Sequence, residues 1–325
     1  MARWPAASSA SGTGRRRPPR RTCAGCWAPA RGSGLSGEAE LFHWHWRPDV
    51  ILVLLALGAA YVAGWRRLRV PGGHPLASRW RLCAYLGGLA TVAVALLSPL
   101  EHLAERLFTA HMVQHQLLLM VAPPLLLLAN PFPFAVWAAP PALRRRVRRF
   151  LVERSPARRA LRGLTRLPVA GLLYAGNLWA WHWPPAYEAA LRHHVVHDLE
   201  HLAFFGTAVL FWWPIVNPAP RARGIRGGLD YGLRIAYLVL ATAQNTLLGA
   251  LLGLTERVLY PSYAATAGAF LGMSALEDQG LGGGIMWSGG HMYLIAILVL
   301  LWQALEAEDR SLASEPAVGR PRPSR

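Results

Sequence analysis

The sequence predicts an all-α integral membrane protein with seven transmembrane helices, its N-terminus outside and its C-terminus cytoplasmic. Three observations carry this prediction. Of 325 residues, 53% are hydrophobic and only 16% charged, whereas a soluble chain carries about a quarter charged residues. The apolar residues fall in unbroken blocks rather than alternating. The net charge of +17 is concentrated in alternate connections between those blocks, the pattern that orients membrane proteins.

Blocks near the roughly 20 residues a spanning helix needs run over 49–65, 82–100, 109–129, 167–184, 199–216, 233–254 and 284–304. The first connection holds Arg66, Arg67, Arg69, Arg79 and Arg81. The third holds the arginines from Arg144 to Arg166, and the fifth Arg221, Arg223, Arg226 and Arg234. Connections two, four and six are poor in arginine and carry Glu101, Glu105, Glu188, Glu277 and Asp278. The positive-inside rule therefore places the odd connections in the cytoplasm. Arginines confined in this way set orientation in a lipid bilayer and do not form a nucleic-acid surface.

Residues 1–35 break the charge pattern, with six arginines between Arg15 and Arg31. They read as an Arg/Pro-rich leader, either disordered, removed, or produced by a start codon placed too early. Cys23 and Cys26 form a CxxC within it. Cys83, in the second span, reads as a small buried hydrophobe. The membrane domain is expected over 43–304 and a cytoplasmic tail over 305–325.

With this orientation, eleven of the twelve histidines fall on the outer side, His74 being the exception. His111 and His115 are four residues apart and share one helix face, with Met112 three residues from His115. A polar side chain at this depth normally faces the bundle interior. The pair could lock helix packing by hydrogen bonds, or it could ligate a metal; imidazole with thioether favours copper. Pro123 and Pro124 remove hydrogen bonds to the carbonyls of Leu119 and Met120, which predicts a kink.

His193, His197 and His201 follow at intervals of four, with Asp198 and Glu200 beside them. They read either as a polar stripe at headgroup level or as further ligands. Two HxxxH pairs on different helices can supply four imidazoles, and the outer pair could pass an ion to the deeper one. Such pairs could also clamp a haem. In "EDQGLGGGIMWSGGHMY", Met286 and His291 add ligand types in the outer half of the seventh span, while the glycines allow close helix approach.

Three stretches, "HMVQHQLLLMVAPPLLLLANP", "HDLEHLAFFGTAVLFWWPIVNP" and "DQGLGGGIMW", resemble the multi-span CtaG-type cytochrome c oxidase assembly factors. The resemblance covers residues 43–304 and excludes the leader and tail. It implies a multi-pass cell-membrane protein that works with subunits of a terminal haem–copper oxidase and helps copper reach that enzyme's membrane-embedded site. Carried onto this chain, the expected copper ligands are His111, His115, His197 and His201, with His193, Met112, His291 and Met286 as further candidates. Neither a nucleophile–base pair nor a phosphate-binding Gly loop with a following Lys is present, so no enzyme is expected. A copper transport or resistance protein and a haem-binding redox protein remain as alternatives.

Overall fold

The computed structural model describes residues 44–69, 76–151, 155–218, 228–267 and 272–314. The leader with its CxxC, His43, His74, Arg221, Arg223 and Arg226 lie outside the described residues. Among those described, every regular element is a helix.

In chain order the helices are α1 (Pro48–Leu68), α2 (Arg79–Leu97), α3 (Pro99–Ala104), α4 (Phe108–Gln116), a π-helical turn (Leu117–Val121) and α5 (Ala122–Leu128). The arginine-rich third connection forms α6 (Pro131–Ala138), α7 (Pro141–Leu151) and α8 (Pro156–Leu164). There follow α9 (Leu167–His182), α10 (Pro184–Arg192), α11 (His194–Val216), α12 (Gly228–Leu254), a 3₁₀ turn (Pro261–Ala265), α13 (Ala275–Gly289) and α14 (His291–Ser314).

Six helical stretches are long and apolar enough to cross a bilayer: α1, α2, α4–α5, α11, residues 230–254 of α12, and the tandem α13–α14. Large apolar side chains such as Leu52, Leu172, Leu240, Leu298 and Trp302 are exposed around the bundle, which in water would be a liability and in lipid is the expected exterior. The chain is a multi-pass membrane protein. The predicted fourth span forms α9, but its 16 residues fall short of the roughly 20 that cross unaided.

Two other expectations change. Cys83 is exposed on α2, not buried. The seventh hydrophobic block begins earlier than predicted, because Ser274 and Glu277 form a reciprocal capping box that starts α13 at Ala275. The helix then extends beyond 304, through Ser314.

Local chemistry explains the element ends. Pro48 opens α1, with Asp49 in its first turn and Arg66 and Arg67 in its last, matching the helix dipole. Asn130 and Asn217 end α5 and α11 in left-handed conformations, φ 53° and 51°, each followed by a proline that cannot continue the helix. The double proline gives a π-helical turn rather than a break. The carbonyl of Leu119 that it frees accepts a hydrogen bond from Trp212 Nε1 at 2.9 Å, as a bilayer interior requires.

One core joins α4–α5, α9, α11, α12, α13 and α14 through Phe108, Tyr174, Phe204, Phe211, Trp212, Leu248 and Tyr293. A second packs α1 against α2 and α6, with Tyr61 stacked on Tyr85 at 3.9 Å.

Candidate metal centre

Where α2 ends and α4 and α11 begin, six ionisable side chains meet. His111 and His115 lie on successive turns of α4, while His197, Glu200 and His201 lie on the first turns of α11. Glu101 comes from α3. Their exposures range from 0 to 8%. Donor atoms of three trios lie within 4.8 Å of one another: His111/His115/His201, Glu101/His197/His201 and His111/His197/Glu200.

His111 Nε2 and His115 Nε2 are within hydrogen-bond distance of each other at 2.9 Å, whereas the Glu200 carboxylate stands off from both. Glu200 Oε2 lies 3.9 Å from His111 Nε2, and Glu200 Oε1 lies 3.8 Å from His115 Nε2. Both exceed hydrogen-bond range. Two donors each bound at about 2.0–2.2 Å to one ion can sit up to roughly 4.4 Å apart. Both Glu200 oxygens, His115 Nδ1 and His201 Nε2 are buried without hydrogen-bond partners. A buried carboxylate in that condition is costly, and a cation among these donors removes the cost. The donor set therefore fits a transition-metal ion.

A surrounding layer holds the ligands. Tyr263, on the 3₁₀ turn, donates its hydroxyl proton to the Ala104 carbonyl at 3.1 Å. Its oxygen contacts His111 Nδ1 and Tyr187 Oη, each at 3.0 Å. Burial holds the Tyr263 and Tyr187 phenols well above their ordinary pKa, so both keep their protons. With Tyr263's single proton committed to Ala104, His111 must donate through Nδ1–H. That tautomer makes Nε2 an acceptor facing the centre, 2.9 Å from His115 Nε2. Glu101 accepts a short hydrogen bond from Gln114 Nε2, and Gln114 also donates to the Ala95 carbonyl at 2.8 Å. Burial pushes the Glu101 carboxyl up to about 8, against the lowering effect of the Gln114 bond. Arg47, just before α1, pairs with Asp198 beside His197 and with Asp49.

The Asp-Gln-Gly run of α13 braces the α4 helix. Asp278 accepts from the backbone amides of Phe108 and Thr109 at 2.7 and 3.0 Å, capping the helix that carries His111. Gln279 accepts from Leu259 N at 2.7 Å and donates to the carbonyls of Leu252 and Arg257, holding the chain that leads to Tyr263. A Cβ on Gly282 would stand 2.3 Å from the Phe108 ring. One on Gly283 would stand 2.5 Å from Gly253 N of α12. Only glycine permits these approaches.

Of the residues expected to be ligands, the structure brings together His111, His115, His197 and His201. The two pairs form one cluster, not two separated stations: the His111 and His197 ring centroids are 5.4 Å apart. His193 has extended backbone between α10 and α11 and is exposed, so it leaves the stripe. Met112, one residue past His111, is buried in the apolar core with its Cγ toward Gly282. Met286 is buried in the apolar core. His291 follows Asp278 by 13 residues, roughly 20 Å of helix, and is exposed there with Nδ1 against the Ser288 carbonyl. It belongs to none of the trios.

Sequence reasoning passed over Glu101, Glu200, Tyr263 and His182 as site residues. His182 donates Nδ1–H to the Leu178 carbonyl at 2.7 Å. Its Nε2 is unpartnered, and its ring lies 6.3 Å from that of His115.

Residues 59–307 match the family model for the cytochrome c oxidase caa3 assembly factor. Similar sequences include uncharacterised proteins of Mycobacterium bovis and Mycobacterium tuberculosis, each 29% identical over 284 residues. One of Mycobacterium leprae is 26% identical over 280 residues. The alignments cover 82–83% of this chain, which spans 40% of the length of those relatives. No solved structure matches.

Proposed function

Since the chain belongs to the cytochrome c oxidase caa3 assembly factor family, we propose that it supports assembly of a terminal haem–copper oxidase by holding copper for that enzyme's membrane-embedded site. The observation that carries this reading is the convergence of four imidazoles and two carboxylates in a buried cluster. Copper is cargo here. His111, His115, His197, His201, Glu101 and Glu200 hold it, the Tyr263 and Gln114 bonds orient the ligands, and the apolar walls exclude water. The thioether argument for copper lapses with Met112. What remains is the oxidase's own need for copper and the high place of Cu²⁺ among divalent metals at nitrogen and oxygen sites.

In this reading the histidine end of the bundle faces outside and the arginine end the cytoplasm, in the cell membrane. Helix α9 makes a short seventh crossing of about 24 Å, accommodated by local thinning. The protein works on oxidase subunits as a partner, not as an enzyme.

The alternatives have less support. A transporter needs polar groups continuing to the arginine end, yet Asn177 is tied to Thr207, Gln244 to Trp179 and Asn245 to the Met286 carbonyl. Haem ligation by the α4 pair needs nitrogens on opposite faces of a macrocycle, whereas the two Nε2 atoms are 2.9 Å apart.

The test is gene deletion followed by complementation. Deletion should lower oxidase activity and the copper content of the purified oxidase while its haem remains. The wild-type chain should restore both, and a His115→Ala/Glu200→Gln chain present at equal abundance should restore neither. Full copper occupancy of the oxidase in the deletion strain would refute the proposal.

A further inference from the structure

We propose that the cluster takes two transition-metal ions, an inner one at His111, His115 and Glu200 and an outer one at Glu101, His197 and His201. The inference rests on the metal-holding reading above and adds its stoichiometry and division of ligands.

Two sets of two imidazoles and one carboxylate that share no side chain account for all six groups: the outer is one of the three trios, and the inner is joined by the pairwise contacts of His111, His115 and Glu200. In the inner set, the Nε2 atoms lie 2.9 Å apart, and the Glu200 oxygens lie 3.9 and 3.8 Å from His111 and His115. The outer set has its donors within 4.8 Å of one another, with His197 Nδ1 at 3.7 Å from Glu101. None of the trios found among the described residues joins Glu101 with His111, His115 or Glu200.

A single four-coordinate ion uses four donors, so one ion would leave buried donors unfilled at one end or the other. Unpartnered atoms occur in both sets: both Glu200 oxygens in the inner set, His201 Nε2 in the outer. Two ions give each carboxylate a cation. The other two trios, His111/His115/His201 and His111/His197/Glu200, cross between the sets and place the two positions side by side. With imidazole and carboxylate as the donors of both sets, the expected ion is a borderline divalent one, copper(II) above zinc(II).

The experiment is titration of the full-length protein in detergent with copper(II), followed by desalting and metal analysis with a protein assay, and electron paramagnetic resonance at each point. Two equivalents are expected, with the signal per copper falling as the second ion couples to the first. Glu101→Gln/His197→Ala and His115→Ala/Glu200→Gln should each retain one equivalent with an uncoupled signal. One equivalent in the wild-type protein, lost in both variants, would overturn the two-ion inference while leaving the metal-holding reading intact. No retained copper in the wild-type protein would overturn both. Stoichiometry in the wild-type chain decides the matter even if a variant fails to fold.

Discussion

The Nε2 atoms of His111 and His115 face each other at 2.9 Å, on a helix whose first turn is capped by an aspartate from another span. Two imidazoles so placed, with the Glu200 carboxylate 3.8 and 3.9 Å away, are the pair that the proposed copper site is built on. The account therefore depends on the groups that fix their direction.

Tyr263 is the nearest of these. Tyr263→Phe removes the oxygen that accepts from His111 Nδ1–H and leaves Tyr187 without its partner. Loss of such an outer hydrogen bond typically costs 10–100-fold in metal affinity. Copper affinity measured by chelator competition should fall by about that factor, with protein abundance in the membrane unchanged. Unchanged affinity would remove Tyr263 from the centre.

Asp278 acts through the backbone. Asp278→Ala uncaps α4 at Phe108 and Thr109, and loss of a helix cap costs about 0.5–2 kcal/mol. The thermal midpoint should drop, and copper affinity with it, while the conservative Asp278→Asn should recover part of both. A normal midpoint for Asp278→Ala would contradict the cap.

Much of this was legible in the sequence, though unevenly. The HxxxH spacing in α4 and α11 places its imidazoles on one face whatever the tertiary packing, so those four positions could be read directly. Glu101 and Tyr263 lie on connections, and their approach to the cluster depends on how α3 and the 3₁₀ turn fold back. Met112 was weighed by its spacing to His115, and its packing in the core toward Gly282 depends on how α13 approaches α4. The seventh block was expected from residue 284, whereas the Ser274–Glu277 capping box starts α13 at Ala275. The resemblance already carried the Asp-Gln-Gly run, but its role as a brace needed the Phe108 and Gly282 contact.

Trp212→Phe tests the repair of the double proline. It strips the Leu119 carbonyl of its donor, and a buried unsatisfied group costs about 1–3 kcal/mol. Lower resistance to denaturation in detergent should follow. A mutation of Pro123 that restores the regular helix should rescue it. Failure of Trp212→Phe to destabilise would show that the carbonyl finds another partner.

Glu188 gives a pH signature outside the bilayer. Burial raises its pKa, but hydrogen bonds from Ser262 and Arg192 outweigh this and hold the carboxyl below its ordinary value. A depressed folded-state pKa stabilises above the unfolded value of about 4.3; that contribution is lost as pH falls through the folded one. The wild-type protein should therefore be more stable than Glu188→Gln at neutral pH. The difference should shrink as the pH drops below about 4. A difference independent of pH would show that the carboxylate charge contributes nothing.

The central claim is that buried imidazoles and carboxylates, without sulfur, hold copper. X-ray absorption on the copper-loaded full-length protein addresses it most directly. The account predicts a first shell of nitrogen and oxygen only, with the outer-shell scattering of imidazole, and loss of that scattering in His111→Ala/His115→Ala. A sulfur shell, or a spectrum unchanged by that double substitution, would contradict it.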